Sequence, residues 1–293
     1  MGAADVVPGV SGGTIALITG IYRELVDSLK SIDMQAIRQL LRLDFRKFWA
    51  HINGSFLLFV FSGILISVFS LARLLKWLLL DHPVYIWSFF FGLIIASAIL
   101  VLRTVKKWKL VEYLALLLGI VSMVILTRFS PAETSEAYWF VFISGAIAIC
   151  AMILPGISGA FILLILGKYQ FILTAVSELN IEVLLVFGLG VITGLISFSR
   201  LLSYLLNSYY RLTIAVLAGF IIGSLNKIWP WKETISSRLN SHGETVPLLQ
   251  KNILPWKYSV LTGSDPQLTG ALLFVFSGIL IVILLDQLGK KKV

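Results

Sequence analysis

The chain has one cysteine, Cys150, three histidines, and charge on only 13% of its 293 residues. A lone cysteine closes no internal disulfide, and Cys150, set in an apolar run, reads as a small core residue. His51, His82 and His242 share no spacing, so no metal site is expected. Soluble domains carry about 25% charged residues, and half that fraction cannot coat a globule in water. The opening MGAADVVPGVSGG also lacks the basic and apolar regions of a cleavable leader. What abounds is apolar: 58% of residues, with a mean hydropathy of +0.94. These balances exclude a cytosolic enzyme, a nucleic-acid-binding module and a disordered chain. They point to an all-α, polytopic integral membrane protein.

Apolar stretches lie near 54–80, 83–102, 110–127, 137–154, 157–167, 181–206, 212–226 and 268–287. A crossing needs about 20 residues, so 157–167 is too short to cross alone. The opening stretch 3–20 is broken by Pro8-Gly9. Short, Pro/Gly-interrupted segments are where transporters place re-entrant or discontinuous helices.

The net charge of +9 comes from 24 Lys and Arg against 15 Asp and Glu. Basic residues concentrate in 30–51, in 103–109 and at the C-terminal Lys290-Lys291-Lys292. The positive-inside rule places all three in the cytoplasm, under the inner membrane. Segment 30–50, which reads as an amphipathic helix over 34–49, is expected to lie on that surface. The tracts 128–136 and 168–182 carry Glu133, Glu136, Glu178 and Glu182 and fall outside. With both on one face, 137–167 is expected to be a re-entrant hairpin with Pro155-Gly156 near its tip. Spans 54–80, 110–127 and 212–226 then run outward, and 83–102, 181–206 and 268–287 inward. The loop 227–267 is outside, its Trp229, Trp231, Trp256 and Tyr258 suited to an interfacial belt. Lys76, Asp81 and Asp286 read as interfacial.

The two broken segments match. Asp5-Val-Val-Pro8-Gly9-Val10-Ser11-Gly12-Gly13-Thr14, then Gly20-Ile21-Tyr22, aligns with Met152-Ile-Leu-Pro155-Gly156-Ile157-Ser158-Gly159-Ala160, then Gly167-Lys168-Tyr169, at an offset of 147. Further on the offset is 127: Gly63, Ser70 and Arg73 pair with Gly190, Ser197 and Arg200, and Gly92…Ser97 with Gly219…Ser224. The first half thus carries 20 extra residues, in the basic surface segment. With the sides assigned above, the partners run in opposite directions. Residues 1–128 and 129–293 are therefore expected to be inverted repeats, each with a re-entrant hairpin and about three spans. Ahead of its Pro-Gly the first half has only Met1–Val7, where the second has an apolar limb, 137–152.

In P-G-[VI]-S-G the chain is extended before proline, turns at glycine and restarts as a helix capped by Ser11 or Ser158. The glycines admit a ligand to the backbone, and the first-turn N–H groups suit an anion such as phosphate. Pro8, Gly9, Ser11, Gly12, Gly13 and Thr14, with Pro155, Gly156, Ser158 and Gly159, are the candidate phosphate-binding set. The bland alternative is a pair of kinks in packed helices. Arg73 and Arg200 lie at matched places inside apolar spans. They either contact the anion bidentately or snorkel to an interface. Asp5, whose counterpart is Met152, is a candidate coupling site for a proton or sodium ion, or else a cap or an arginine partner. Tyr22 and Tyr169 are candidates for gating or interfacial anchoring.

The signatures DVVPGVSGGTIALITGIY and LPGISGAFILLILGKY resemble those of the polyprenyl-phosphate transporter family, long catalogued as a bacterial domain of unknown function. The resemblance spans nearly the whole chain. It implies a flippase, without cofactor or catalytic residues, returning undecaprenyl phosphate, the carrier of peptidoglycan precursors, across the cytoplasmic membrane for reuse. On this chain Asp5 and the ten motif positions named above would hold the phosphate. Two rival readings use the same residues. One is a transporter of a small soluble anion. The other resembles the membrane undecaprenyl-diphosphate phosphatases, whose PGxS loop continues with Arg-Ser beside clustered glutamates. Here Gly12-Gly13 and Gly159-Ala160 follow the serines with no carboxylate cluster, so groups for acid–base or metal chemistry are missing.

Overall fold

The computed structural model describes residues 1–5, 11–129, 134–239 and 245–290. The first half holds α1 (Gly2–Asp5), α2 (Gly12–Ile18), α3 (Tyr22–Lys30), α4 (Met34–Leu41), α5 (Phe45–His51), α6 (Gly54–Asp81), α7 (Pro83–Thr104) and α8 (Leu110–Leu126). The second holds α9 (Tyr138–Ile153), α10 (Gly159–Ile165), α11 (Tyr169–Ser177), α12 (Ile181–Ser208), α13 (Tyr210–Ser224), β1 (Lys232–Leu239), β2 (Thr245–Asn252), α14 (Pro255–Thr262) and α15 (Leu268–Lys290). Helices α6, α7, α12 and α15 are long and apolar enough to cross a bilayer; α8, α9 and α13 are shorter and equally apolar. Phe59 and Phe69 on α6, Leu185 on α12 and Leu273 on α15 all point outward. An apolar exterior of that extent is unfavourable in water and suits helices bathed in lipid. The protein is an all-α polytopic membrane protein.

Elements at matching offsets share their bounds: α2 with α10 and α3 with α11 at 147, α6 with α12 at 127. Gly20 and Gly167 end α2 and α10 with left-handed φ of 78° and 64°. Beyond Gly167 the chain bends by 109° into α11. Helix α7 packs along α15 as α13 packs along α8. In each pair the equivalent glycine brings two backbones together: a Cβ on Gly92 would overlap the Val275 carbonyl, and one on Gly219 the Leu116 carbonyl. The match fails at Gly63, which meets nothing within 4 Å, whereas its counterpart Gly190 packs on the Phe142 carbonyl of α9. Helix α1 has four residues and meets α6 where Gly2 touches Ile64 and Ser67.

The core gathers α2, α3, α7, α12 and α13 around Val26, Ile94, Leu202, Leu217 and Ile221. Helix α3 is also fixed to α12 by polar contacts: Ser203 Oγ donates to Asp27 Oδ1 (2.7 Å), and Lys30 Nζ donates to Ser203 Oγ (3.2 Å). This pairing sets where Tyr22, the first residue of α3, points.

Two stretches differ from the sequence reading. The amphipathic stretch 34–49 is two helices. Asp33 caps α4 by accepting from Ala36 N (2.9 Å), and α4 ends where Leu43 turns left-handed (φ 57°) and Asp44 N reaches back to Gln39 O (3.0 Å). That pattern is a helix-terminating motif that usually takes glycine. The loop 227–267 holds an antiparallel hairpin, with Lys232 opposite Asn252, and the short helix α14. Trp229 and Trp231 donate their indole N–H groups to the Ile253 and Pro266 carbonyls (2.8 and 2.9 Å), tying the hairpin to the start of α15.

Candidate functional site

Helix α9 stops because proline follows. The residue before proline is driven out of the helical region, and Leu154 is extended at φ −70°, ψ 131°. The last carbonyls of a helix have no partner within it, and in hydrocarbon an unpaired one costs several kcal/mol. The Leu154 carbonyl accepts the Ile157 N–H of its own turn (3.4 Å), and the first half supplies further donors. Ser11 Oγ donates to Leu154 O and Tyr22 OH to Ile153 O, each at 3.2 Å. In the other direction Gly156, left-handed at φ 83°, donates its N–H to Thr14 Oγ1 at 3.0 Å. Three hydrogen bonds thus join the two Pro-Gly motifs into one junction.

Gly13 makes this approach achievable, because a Cβ there would stand 2.7 Å from the Ile153 carbonyl oxygen. Ser11, Gly12, Gly13, Thr14, Pro155 and Gly156 are buried, and Ser158 and Gly159 are half-buried. Pro8 and Gly9 lie outside the described residues.

The two helix starts are occupied differently. In the first, Ser11 caps α2 by accepting from Gly13 N (3.1 Å), and Gly12 N donates to Asp5 Oδ1 (2.7 Å). A carboxyl oxygen of the chain itself therefore sits on a first-turn amide, where the helix dipole favours negative charge. In the second, Ser158 makes no capping hydrogen bond, and the amides of Ser158, Gly159 and Ala160 have no acceptor among the described residues.

The other sequence candidates lie apart. Arg73 and Arg200 are exposed on α6 and α12, take no part in the junction, and have no hydrogen bond or ion pair among the described residues. Tyr169, the counterpart of Tyr22, is half-buried at the start of α11 and is not part of the junction either. No group of three His, Cys, Asp or Glu that could hold a metal occurs among the described residues.

The sequence reading missed the acceptors, because the Ile153 and Leu154 carbonyls are backbone groups. Their signal was Pro155, which orphans the end of the preceding helix. It also passed over Lys168, fully buried beside Gly167. Its Nζ donates to Thr134 O (2.9 Å) and lies over the Phe140 and Phe171 rings (5.5 and 5.3 Å), closing the far end of the second hairpin.

Residues 1–246 match a family described as undecaprenyl phosphate translocase-like. The chain is 47% identical over 291 residues to the polyprenyl-phosphate transporter of Vibrio cholerae, covering 99% of this chain and 94% of that one. It is 33% identical over 249 residues to the polyprenyl-phosphate transporter of Staphylococcus aureus, covering 78% and 83%. No solved structure matches. With a family model matched over most of its length and a relative near half identity end to end, the chain belongs to the undecaprenyl phosphate translocase-like family.

Proposed function

We propose that this protein is a flippase that carries undecaprenyl phosphate across the cytoplasmic membrane, returning the carrier lipid for reuse. The observation that carries the reading is the junction itself, where Thr14 and Gly156, Ser11 and Leu154, and Tyr22 and Ile153 bind two broken helices together in the interior. The names of the two relatives, both polyprenyl-phosphate transporters, support the substrate class. The matched element bounds and the equivalent Gly92 and Gly219 contacts support two repeats, and the basic segments 30–51 and 103–109, taken with the acidic tracts 128–136 and 168–182, support their opposite orientation in the membrane.

In this reading the phosphate sits at the junction, on the amides of Ser158 and Gly159 and on the Gly12 amide that Asp5 otherwise takes. Arrival of the head group exchanges one anion for another, and protonating Asp5 loosens its hold, coupling the exchange to a proton. The prenyl tail stays in the bilayer while the head group crosses on protein donors. This avoids the desolvation that makes a charged head in hydrocarbon so costly. Arg73 and Arg200, exposed on α6 and α12, guide the phosphate on opposite sides of the membrane through bidentate contacts.

The test is reconstitution into liposomes with labelled undecaprenyl phosphate, with and without a proton gradient, and with inorganic phosphate as competitor. Protein-dependent movement of the lipid, weakly inhibited by inorganic phosphate, is the expected result, with a pH dependence that Asp5→Asn removes. Transport of inorganic phosphate in place of the lipid, or release of phosphate from the diphosphate lipid, would overturn the reading.

A further inference from the structure

A second anion-directed feature lies away from the junction. The 17 residues of α8 rise about 25 Å, and at the end far from the basic link 103–109 there is a cavity of about 350 Å³. Its floor is α10, through Phe161 and Leu164; its walls carry Arg128, just after α8, and Lys227, just after α13; its roof is the β-hairpin, through Lys232 and Lys251. None of the described residues lining it is acidic. Glu233 is Lys251's partner in the hairpin register but does not line the cavity.

This is unlike scattered surface lysines. Lys227 Nζ lies over the Phe161 ring at 4.8 Å and Lys232 Nζ over the Trp87 ring at 3.7 Å. Among the described residues none of the four cations pairs with a carboxylate. Desolvation by the walls pulls Lys227 below the ordinary lysine range. Desolvation, with the like charge of Lys227 added, pulls Lys232 well below it. Lys227 and Lys232 are withdrawn from bulk water while Arg128 and Lys251 at the rim are exposed; drawing such like charges together is unfavourable, and an anion is what relieves it. The roof is fastened in place: Asn252 Nδ2 donates to Asn226 O (2.6 Å), and Asn226 Nδ2 to Thr127 Oγ1 (2.8 Å), stitching the hairpin to the ends of α13 and α8. The floor helix begins directly after Ser158 of the second motif and rises only about 10 Å.

We propose that this cavity is a receiving site for a phosphoryl group, held by Arg128, Lys227, Lys232 and Lys251 over the apolar floor of α10. What it passes on, and to where, rests on the transport reading above; the binding itself does not. Cations on the walls with phenylalanine and leucine on the floor suit the head of a phosphorylated lipid, and the same cations would accept free phosphate. The two sources share one chemistry and separate by experiment.

The full chain in nanodiscs is titrated with farnesyl phosphate, a short prenyl phosphate, and with inorganic phosphate. Lys227→Gln/Lys251→Gln should weaken farnesyl phosphate binding by about tenfold or more, in line with the loss of charge-assisted contacts. Lys251→Arg alone should keep it, which separates lost charge from lost folding. If inorganic phosphate displaces farnesyl phosphate only at concentrations about a hundredfold higher, the occupant is a lipid head group; equal potency makes it the free ion. The double Gln variant binding as the wild type does overturns the cavity, whatever the liposomes show, as does a wild type that binds neither probe. Loss of binding in that variant alongside wild-type liposomes that move no lipid overturns the transport reading and leaves the cavity standing.

Discussion

The Thr14 hydroxyl accepts the Gly156 amide at 3.0 Å, so a side chain from one Pro-Gly motif satisfies the backbone turn of the other. Both groups are buried, and no water in a membrane interior replaces a lost partner. Thr14→Val keeps the shape and removes the acceptor, leaving the Gly156 N–H unpaired at a cost of about 1–3 kcal/mol. Thr14→Ser keeps the bond. Thermal unfolding of the purified protein in detergent checks this: the valine variant should melt earlier and the serine variant close to the wild type. A valine variant as stable as the wild type would show that the two motifs do not depend on this contact.

Gly13 is held against a carbonyl that has nowhere to go. The Ile153 oxygen already accepts from Tyr22, and a Cβ on residue 13 would approach it to 2.7 Å. Gly13→Ala should therefore spread the junction, costing about 1–3 kcal/mol by overpacking and reducing lipid transport by more than the loss of folded protein explains. The equivalent position in the second half is Ala160, exposed and already carrying a Cβ. Ala160→Gly is the matched control and should change neither measurement much.

Arg73 and Arg200 separate two physical accounts of a charge in an apolar helix. Each is exposed and has no partner among the described residues, so truncation breaks no hydrogen bond or ion pair there. If they meet the phosphate, Arg73→Ala and Arg200→Ala each lower liposome transport severalfold with unchanged melting temperature. Lysine restores it only in part, because an ammonium lacks the bidentate fork. Wild-type rates in both alanine variants would assign them to snorkelling.

Most of the membrane architecture was legible because it rests on strong local signals. Runs of apolar residues of crossing length marked α6, α7, α12 and α15, and the repeated P-G-[VI]-S-G marked the two broken helices whose bounds coincide at the offset of 147. What was not legible depends on who meets whom. Ser11 reads as a cap, and it is one, but its hydroxyl also reaches the Leu154 carbonyl 143 residues away. Asp5 reads as a coupling or capping acid, and only the fold seats it on the Gly12 amide. The hairpin was hidden because Trp229, Trp231 and Trp256 drew the loop toward an interfacial reading. Yet Lys227, Lys232, Lys251 and Lys257 fall in a loop that the positive-inside rule reads as outside and expects to be poor in cations, and that excess was the available signal for the cavity.

The ion pair between Glu112 and Arg211 joins the first turn of α8 to the first turn of α13. Arg211 Nη2 lies 2.6 Å from Glu112 Oε1, and Glu112 Oε2 also accepts from Lys109 N (2.8 Å). Glu112 is buried, while the arginine side chain is 38% exposed. Removing one partner of a fully buried pair costs about 3–5 kcal/mol; solvent access to the guanidinium lowers the expected cost of Glu112→Gln to about 1–2 kcal/mol. The loss should appear as a lower melting temperature with lipid binding intact. A variant that melts unchanged would show that backbone packing between α8 and α13, at Gly119 and Gly219, fixes these helices without the charge.

Lys232 gives the cavity a pH signature. Burial, with Lys227 beside it, sets its folded pKa below the ordinary lysine value, so it loses its proton at a lower pH than an exposed lysine, near 10.4. A bound phosphate favours the charged form and draws the proton back, so binding takes up a proton and weakens as pH rises. Between about pH 7 and about pH 9, where a phosphate monoester is already doubly charged, farnesyl phosphate affinity should fall in the wild type. The other cations on the cavity are Arg128, Lys227 and Lys251, with no acid among the described lining residues. Lys227, shifted the same way, adds slope. Lys232→Arg stays protonated across the range and should flatten the profile while keeping affinity at pH 7. A flat wild-type profile, or a slope that Lys232→Arg leaves untouched, would remove Lys232 from the binding site.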